Sequence, residues 1–217
     1  MNPIRVNLSA AKRSEALTVT NSGSDPVVVQ VSAMAWAQDA GKDVLSATSD
    51  VLVSPPIATI APGKEQIVRV GLRRAPDAHT ELSYRLFLQE VPPPPKPGFQ
   101  GLQVALRVGL PIFVEPRDGR AKAALEWTAS SLGKDSIRLT LQNQGNGHIQ
   151  ISDIGLYAKG GKDPIASRTG LVYVLPGQSH EWDLALRHGD IGGTERLRLK
   201  VTTDAGSIDT EIGLAKP

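Results

Sequence analysis

Cysteine is absent from the chain. That excludes disulfides, thiol chemistry and thiolate-bound metal, but it does not fix a compartment, because many exported proteins also lack cysteine. Neither sign of charge dominates: 24 basic side chains face 22 acidic ones, for a net +2. The balance is too even to argue for nucleic acid, and the basic residues are not clustered. No run of about eighteen apolar residues occurs, the length a spanning helix needs, so no direct membrane insertion is expected. The opening "MNPIRVNLSA" has no apolar leader. It leaves two readings open: a cytoplasmic protein, or an exported one whose signal peptide is gone and whose start Met was supplied. Catalytic signals are also missing. The four histidines, His79, His148, His180 and His188, lack metal-ligand spacing and read as surface residues. No Gly-rich phosphate loop opens a helix, and no Gly-x-Ser-x-Gly elbow appears. The expectation is a non-enzyme with no metal and no cofactor.

Helical periodicity is nearly absent too. In its place stand short alternating or β-branched runs split by Gly, Pro, Asn and Asp: "ALTVTNSG", "PVVVQVSAMAW", "EQIVRVGL", "SYRLFLQEV", "SIRLTLQNQG", "IQISDIGLY" and "RLRLKVTT". This spacing reads as all-β sandwiches. With 217 residues, 40% of them hydrophobic, the chain is globular and long enough for two cores. An internal repeat supports two like domains. "LTVTNSG" resembles "LTLQNQG", and "APGKEQIVRV" resembles "LPGQSHEWDL". Each pair is a strand ending in an Asn-x-Gly turn, then a Pro-Gly turn feeding a strand, in the same order about a domain apart. Together they favour a duplicated immunoglobulin-like unit. The polar, turn-rich "VEPRDGRAK" places the division between domain one, 1–115, and domain two, 116–217.

The stretch "GLQVALRVGLPIFVEP", Gly101–Pro116, alternates apolar residues at Leu102, Val104, Leu106, Val108 and Leu110. It reads as one long strand after a stiff proline run, "VPPPPKPG". Alternation alone leaves two readings open: side chains facing their own core, or an apolar edge intended for another chain. A long flat apolar edge is an aggregation hazard unless a partner uses it.

The order of signals in the first domain resembles the PapD-like periplasmic pilus (fimbrial) assembly chaperones. The residues that carry the likeness are "TVTNSG", "SPP" with "PGKEQIVRV", "QEVPP" and "LPIFVEP". Domain two matches only in length, strand pattern and position. The resemblance implies two immunoglobulin-like β-sandwich domains arranged at an angle, like a boomerang with a cleft. It implies a chaperone that holds a pilus subunit lacking its final strand and delivers it to an outer-membrane usher. The last strand of domain one is lent to that subunit, with Leu102, Val104, Leu106 and Val108 in the donor positions. Ile112, Phe113 and Val114 would then pack the core and the interdomain region. A periplasmic site, with a cleaved signal peptide, becomes the expected reading of the N-terminus. A self-capping homodimer of the free protein is a further implied state.

The family's usual pattern has two basic residues that clamp the subunit's C-terminal carboxylate. Arg5 in "PIRVNL" matches the first; on a strand it lies opposite Val6 and Leu8. The second is usually a Lys two residues before the Phe of the last strand, but here that place is Pro111. Arg85 in "SYRLFLQEVP" is the expected substitute, as in the divergent archaic or alternative branch. A guanidinium suits a carboxylate through its planar fork. Solvated or ion-paired roles remain open for both, Arg85 having Glu81 and Glu90 as candidate partners, and Arg107 is a third candidate. The short loop resembles that of chaperones for rod-like pili, with Phe99 as a possible extra anchor. Two other readings stand beside this one. The first is a tandem immunoglobulin-like structural or adhesive pilus or cell-surface component, which would need an N-terminal donor extension or an incomplete sandwich. The second is an accessory sandwich domain of an enzyme.

Overall fold

The structure is a computed structural model that describes residues 1–93, 101–102, 104–187 and 195–215. Among the described residues every regular element is a β-strand. The chain divides into two compact units, one of Met1–Ala37 with Val44–Arg120, the other of Gln38–Asp43 with Ala121–Pro217. Both are immunoglobulin-like β-sandwiches. The first unit runs past the division drawn after Glu115. Arg117 N–H donates to Asp77 O and Asp118 N–H to Ala78 O, both at 2.8 Å, and tie that stretch to it.

The first unit is built from β1 (Val6–Leu8), β2 (Ser14–Thr20), β3 (Val27–Asp39), β4 (Lys42–Ala47), β5 (Val51–Ser54), β6 (Ile57–Ile60), β7 (Glu65–Leu72), β8 (Leu82–Val91) and β9 (Arg107–Val114). The tip of the β3–β4 hairpin belongs with the second unit. One sheet runs β1-β9-β8-β3-β4, with β6 also on β3; the other runs β2-β7-β5. Alternate residues fill the space between them: Val29 and Val31, Val68 and Val70, Leu86 and Leu88, Ile112 and Val114. That is the period-two pattern of strands with one face on a core. The Tyr84 hydroxyl donates to Asp50 at 2.9 Å, and Arg74 reaches the same carboxylate at 3.3 Å. Burial, with the Asp50 carboxylate alongside, pushes the Tyr84 phenol above its ordinary range.

The second unit holds β10 (Leu125–Ser131), β11 (Ser136–Asn143), β12 (Ile149–Tyr157), β13 (Ala166–Val174), β14 (Ser179–Ala185), β15 (Arg196–Thr203) and β16 (Gly206–Ala215). They form one path, β13-β12-β15-β16-β10-β11-β14. Strand β10 turns the corner. It pairs antiparallel with β11 along its length and parallel with β16 at Ala129 and Ser130. The core gathers around Trp182, which stacks on Trp127 at 5.9 Å between centroids. In this unit Gln38 behaves as a surrogate peptide. Its Nε2 donates to Tyr173 O at 2.8 Å, and its Oε1 accepts from Leu175 N–H at 2.9 Å.

The duplication read from the sequence is visible in hydrogen bonds. Asn21 Oδ1 accepts from Gly23 N–H at 2.9 Å, and its Nδ2 donates to Asp25 O and Ile60 O. Asn143 Oδ1 accepts from Gly145 N–H at 3.0 Å, and its Nδ2 donates to Gly147 O and Val174 O. Both backbones then pair with the Pro-Gly turn. Gly63 N–H donates to Asn21 O and Gly177 N–H to Asn143 O, each at 2.9 Å. Gly63 and Gly177 hold φ of 67° and 73°, a left-handed conformation that glycine adopts without strain. One buried asparagine therefore locks two strand ends in each unit. Asn143→Ala leaves those buried groups unpaired and should cost about 2–4 kcal/mol. A urea unfolding curve that followed the second unit's tryptophans would show the loss.

Candidate functional site

The long strand expected over Gly101–Pro116 is shorter. Regular pairing begins at Arg107, and 104–106 are not strand. The apolar alternation nevertheless runs through both parts and crosses from core to solvent. Val114 and Ile112 are 0% exposed and Leu110 5%, whereas Val108 is 40%, Leu106 58%, Val104 68% and Leu102 88% exposed. All seven share one parity. The inner three belong to the first core, and the outer four continue its stripe into water.

Ladder geometry leaves an edge beside that stripe. Strand β8 covers β9 on one side from Arg107 to Val114, but β1 covers the other side only at Ile112–Val114. Glu90 N–H donates to Leu106 O at 2.9 Å, so the even residues of this segment direct their backbone groups toward β8. The odd residues direct theirs the other way, as Glu115 N–H does toward Leu8 O at 2.9 Å. Arg107 and Gly109 thus present backbone groups to an edge with no strand partner among the described residues. Pro111 falls on the same side, where a missing N–H breaks no bond to β8.

The opposite face carries the arginines. Arg5 lies in a bend just before β1, not within the opening strand as the sequence suggests. Val6 and Leu8, both buried, fix β1 in register against β9. They leave Arg5 with its guanidinium over the Phe113 ring, 5.6 Å from the centroid. Arg85 is opposite Pro111 on β9 and Met34 on β3. Its guanidinium lies 3.6 Å above the Trp36 ring. Trp36 and Phe113 touch in turn, centroids 5.9 Å apart. Two cations, one from the bend before β1 and one from β8, are therefore seated on one two-ring floor, a cation–π arrangement. Ser83, opposite Phe113, buries a hydroxyl with no hydrogen-bond partner among the described residues.

Of the residues singled out by sequence, Arg5 and Arg85 meet on this floor. Arg107 does not: it lies over Phe87 at 4.2 Å, where Phe87 also leans on Gly109. A Cβ at Gly109 would come within 3.1 Å of that ring, which keeps the position small. The Glu90 carboxylate accepts from Leu106 N–H, and Arg85 alternates to the other face of β8. The floor itself went unrecognised. Phe113 reads in sequence as core, and Trp36 attracts no role. The available signal was parity, since both alternate with core residues of their own strands. Phe99, His188 and most of the proline loop lie outside the described residues. His79 is exposed as expected, but His148 and His180 are half-buried. His180 packs on Trp182 at 4.5 Å, and burial together with Arg168 holds its pKa below the usual value. No cluster of three metal-ligating side chains occurs among the described residues.

The same stretch of chain matches a known family. Residues 1–119 fit the sequence model of the pili and flagellar-assembly chaperone, PapD N-terminal domain. The chaperone protein FimB/FhaD of Bordetella pertussis is 30% identical over 122 residues, which are 52% of this chain and 48% of that protein. The chain thus spans about half the length of that relative. Solved structures extend the likeness in fold to both units. The CsuC–CsuE chaperone–tip adhesion subunit pre-assembly complex, from the archaic chaperone-usher Csu pili of Acinetobacter baumannii, contains a chain matched with a TM-score of 0.70. Identity there is 21%, over 99% of this chain and 97% of that one. The CupB2 chaperone of Pseudomonas aeruginosa matches with a TM-score of 0.61 at 20% identity, covering 97% of each chain. The Salmonella enterica complex of SafA pilin with the SafB chaperone gives 0.64 at 23% identity, over 97% of this chain and 93% of that chain. With the family's sequence model covering β1 through β9, stripe and arginines included, the chain belongs to the PapD-like pilus-assembly chaperones, a family without enzymatic activity.

Proposed function

We propose that this protein is a periplasmic chaperone that holds a pilus subunit by lending it Leu102–Val108 as an added strand, and then passes it to an outer-membrane usher. The observation that carries the reading is the stripe. Four alternate apolar side chains stand exposed in line with a buried core row. Burying them would stabilise a complex by on the order of 6–12 kcal/mol before the costs of association. Backbone groups at the open edge of β9 supply ladder bonds, and the alternate side chains supply fit. The complexes of relatives with a tip adhesion subunit and with a pilin support a subunit as partner.

In this reading the subunit's terminal carboxylate is gripped by Arg5 and Arg85. Each guanidinium lies over an aromatic ring of the floor, and its planar fork suits a carboxylate. Pro111 removes the family's usual second cation, and Arg85, its cross-strand neighbour, takes over the charge. That substitution supports the archaic or alternative branch. Against a structural pilus component stands the completeness of each sandwich. Strand β9 completes the first unit's sheet between β1 and β8, and β15 pairs along its whole length with β16 in the second. In the free protein, a second copy is the simplest cap for the exposed stripe.

Co-purification from the periplasm of the native host, with mass spectrometry of what is bound, tests the reading. A one-to-one partner with an alternating hydrophobic C-terminal motif is expected. A chain recovered alone, or only with itself, while pilus genes are expressed would return the structural component to the front. Leu106→Glu should abolish capture and leave folding stability within about 0.5 kcal/mol, as an exposed site allows. Leu110→Glu, two residues along the same stripe, should unfold the first unit by burying an unpaired charge. Arg5→Ala and Arg85→Ala should each weaken subunit binding by about 2–5 kcal/mol, measurable by calorimetry with the purified subunit.

A further inference from the structure

In the second unit, two neighbouring strands meet and then part. Strands β10 and β16 run parallel and pair only at Ala129–Leu214 and Ser130–Ala215. Carried back along both strands, that register sets Leu125 opposite Thr210, Glu126 opposite Glu211 and Trp127 opposite Ile212. Among the described residues no ladder forms there. A cleft of about 760 Å³ opens instead, lined by all six of these residues. Its size lies within the range of about 300–1,000 Å³ common to ligand sites. The strands thus part where two glutamates face each other, and like charges on facing strands destabilise a sheet.

Both parted edges keep backbone groups without a ladder. Leu214 N–H donates to Glu195 O on the β15 side at 2.9 Å, so the even residues of β16 are committed to β15 and the odd ones face the cleft. Leu132 N–H donates to Ser136 O at the end of the β10–β11 ladder, so the even residues of β10 are committed to β11. Asp209 and Glu211 on one side, and Leu125 and Trp127 on the other, turn their backbone groups to the cleft with no strand partner among the described residues. The side chains sort by face. Leu125, Trp127, Ile208 and Ile212 belong to the second core and form the inner wall. Glu126 and Glu211 alternate with them and are exposed on the outer face. Glu126 accepts from Gln144 Nε2, and Glu211 meets Arg196 at 3.5 Å with both side chains exposed, a weak pairing. Among the charged residues lining the cleft, Glu126, Asp204 and Glu211 outweigh Lys122.

We propose that this cleft is a peptide-binding site: an extended segment with apolar and basic residues in alternation lies along the free edge of β16. Its backbone pairs with Asp209 and Glu211. Its apolar side chains enter against Leu125, Trp127, Ile208 and Ile212, and its basic side chains meet Glu126 and Glu211 on the outer face. Charge selects the partner. A lysine or arginine between the two carboxylates relieves the repulsion between them, and an acidic segment adds to it. The site is independent of the donor-strand reading, since it lies in the other unit and uses neither the stripe nor the arginines of the aromatic floor.

The test titrates the full chain with two blocked hexapeptides, one alternating valine with lysine and the other valine with glutamate, and follows backbone NMR. The lysine peptide should shift the Asp209 and Glu211 amides to saturation and slow their hydrogen exchange. The glutamate peptide should leave them unmoved. Glu126→Lys combined with Glu211→Lys should weaken the lysine peptide roughly tenfold, the effect of two exposed charge reversals. Where that pair disturbs the native spectrum, Glu126→Gln with Glu211→Gln removes the charges alone and should weaken it roughly threefold. No response to the lysine peptide overturns the site. Shifts at Arg107 and Gly109 in place of Asp209 and Glu211 put the peptide on the open edge of β9 and overturn it as well. An equal response to both peptides, or an affinity unchanged in the glutamate variants, overturns the selection by charge.

Discussion

The alternation that packs Leu110, Ile112 and Val114 into the first core does not end where the core ends. The same parity carries on through Val108, Leu106, Val104 and Leu102 into solvent. Everything distinctive about the first unit depends on that continuity. A strand slipped by one residue would turn its whole apolar set to the other face. The buried half forbids such a slip, because Ile112 and Val114 are packed on both flanks by β1 and β8. The exposed half inherits that register through Val108, paired with Leu88, and Leu106, whose O accepts from Glu90 N–H. Pre-set geometry of this kind lowers the ordering cost when a partner covers the stripe.

The open edge is maintained by how little β1 covers. Three residues of β1 pair with β9, and Arg5 leaves the strand before Val6. A longer first strand would have closed the sheet along Arg107–Pro111. An apolar edge left open invites self-association, and proteins usually blunt such edges with charge, proline or bulges. Here the blunting is confined to the far face and to one position. Arg107 lies against Phe87 on the side away from the stripe, and Pro111 removes a single donor. The stripe itself carries no charge.

Much of this was legible in the sequence, for physical reasons that differ by element. Strands and their faces follow from period two, and the duplicated lock follows from Asn-x-Gly and Pro-Gly, which impose particular backbone angles. Both signals are local, so sequence carries them. The start of β9 is not local. Where it begins, the chain meets Glu90, sixteen residues earlier, whose carboxylate accepts from Leu106 N–H. Gln38 was equally opaque, since an amide that replaces a peptide group is recognised only once Tyr173 and Leu175 are beside it. The arginines were found through family likeness, whereas Trp36 and Phe113 look like core in any sequence. Their parity against Val31 and Ile112 was the one clue, and both are buried all the same. The half-buried histidines were missed because polar neighbours in sequence say nothing about Trp182 or Tyr173 in space.

On the proposed chaperone reading, the aromatic floor is what lets an anchor do without the family's usual second cation. A lysine at position 111 would rise from β9 itself, on a flexible stem. Arg85 rises from β8 directly across the ladder from that place, and its guanidinium lies 3.6 Å above the Trp36 ring. The charge moves one strand sideways while the distance along the strands is kept. From Pro111 to Leu106 an extended chain covers about 17 Å at the strand repeat. Anchor and stripe are thus set on two hydrogen-bonded strands whose relative shift is fixed by the core. In the proposed complex, a carboxylate held at one end would determine which partner residue meets each exposed side chain at the other. On that reading specificity would come from one fixed length along β8 and β9, and neither the arginines nor the stripe would need to recognise a sequence alone.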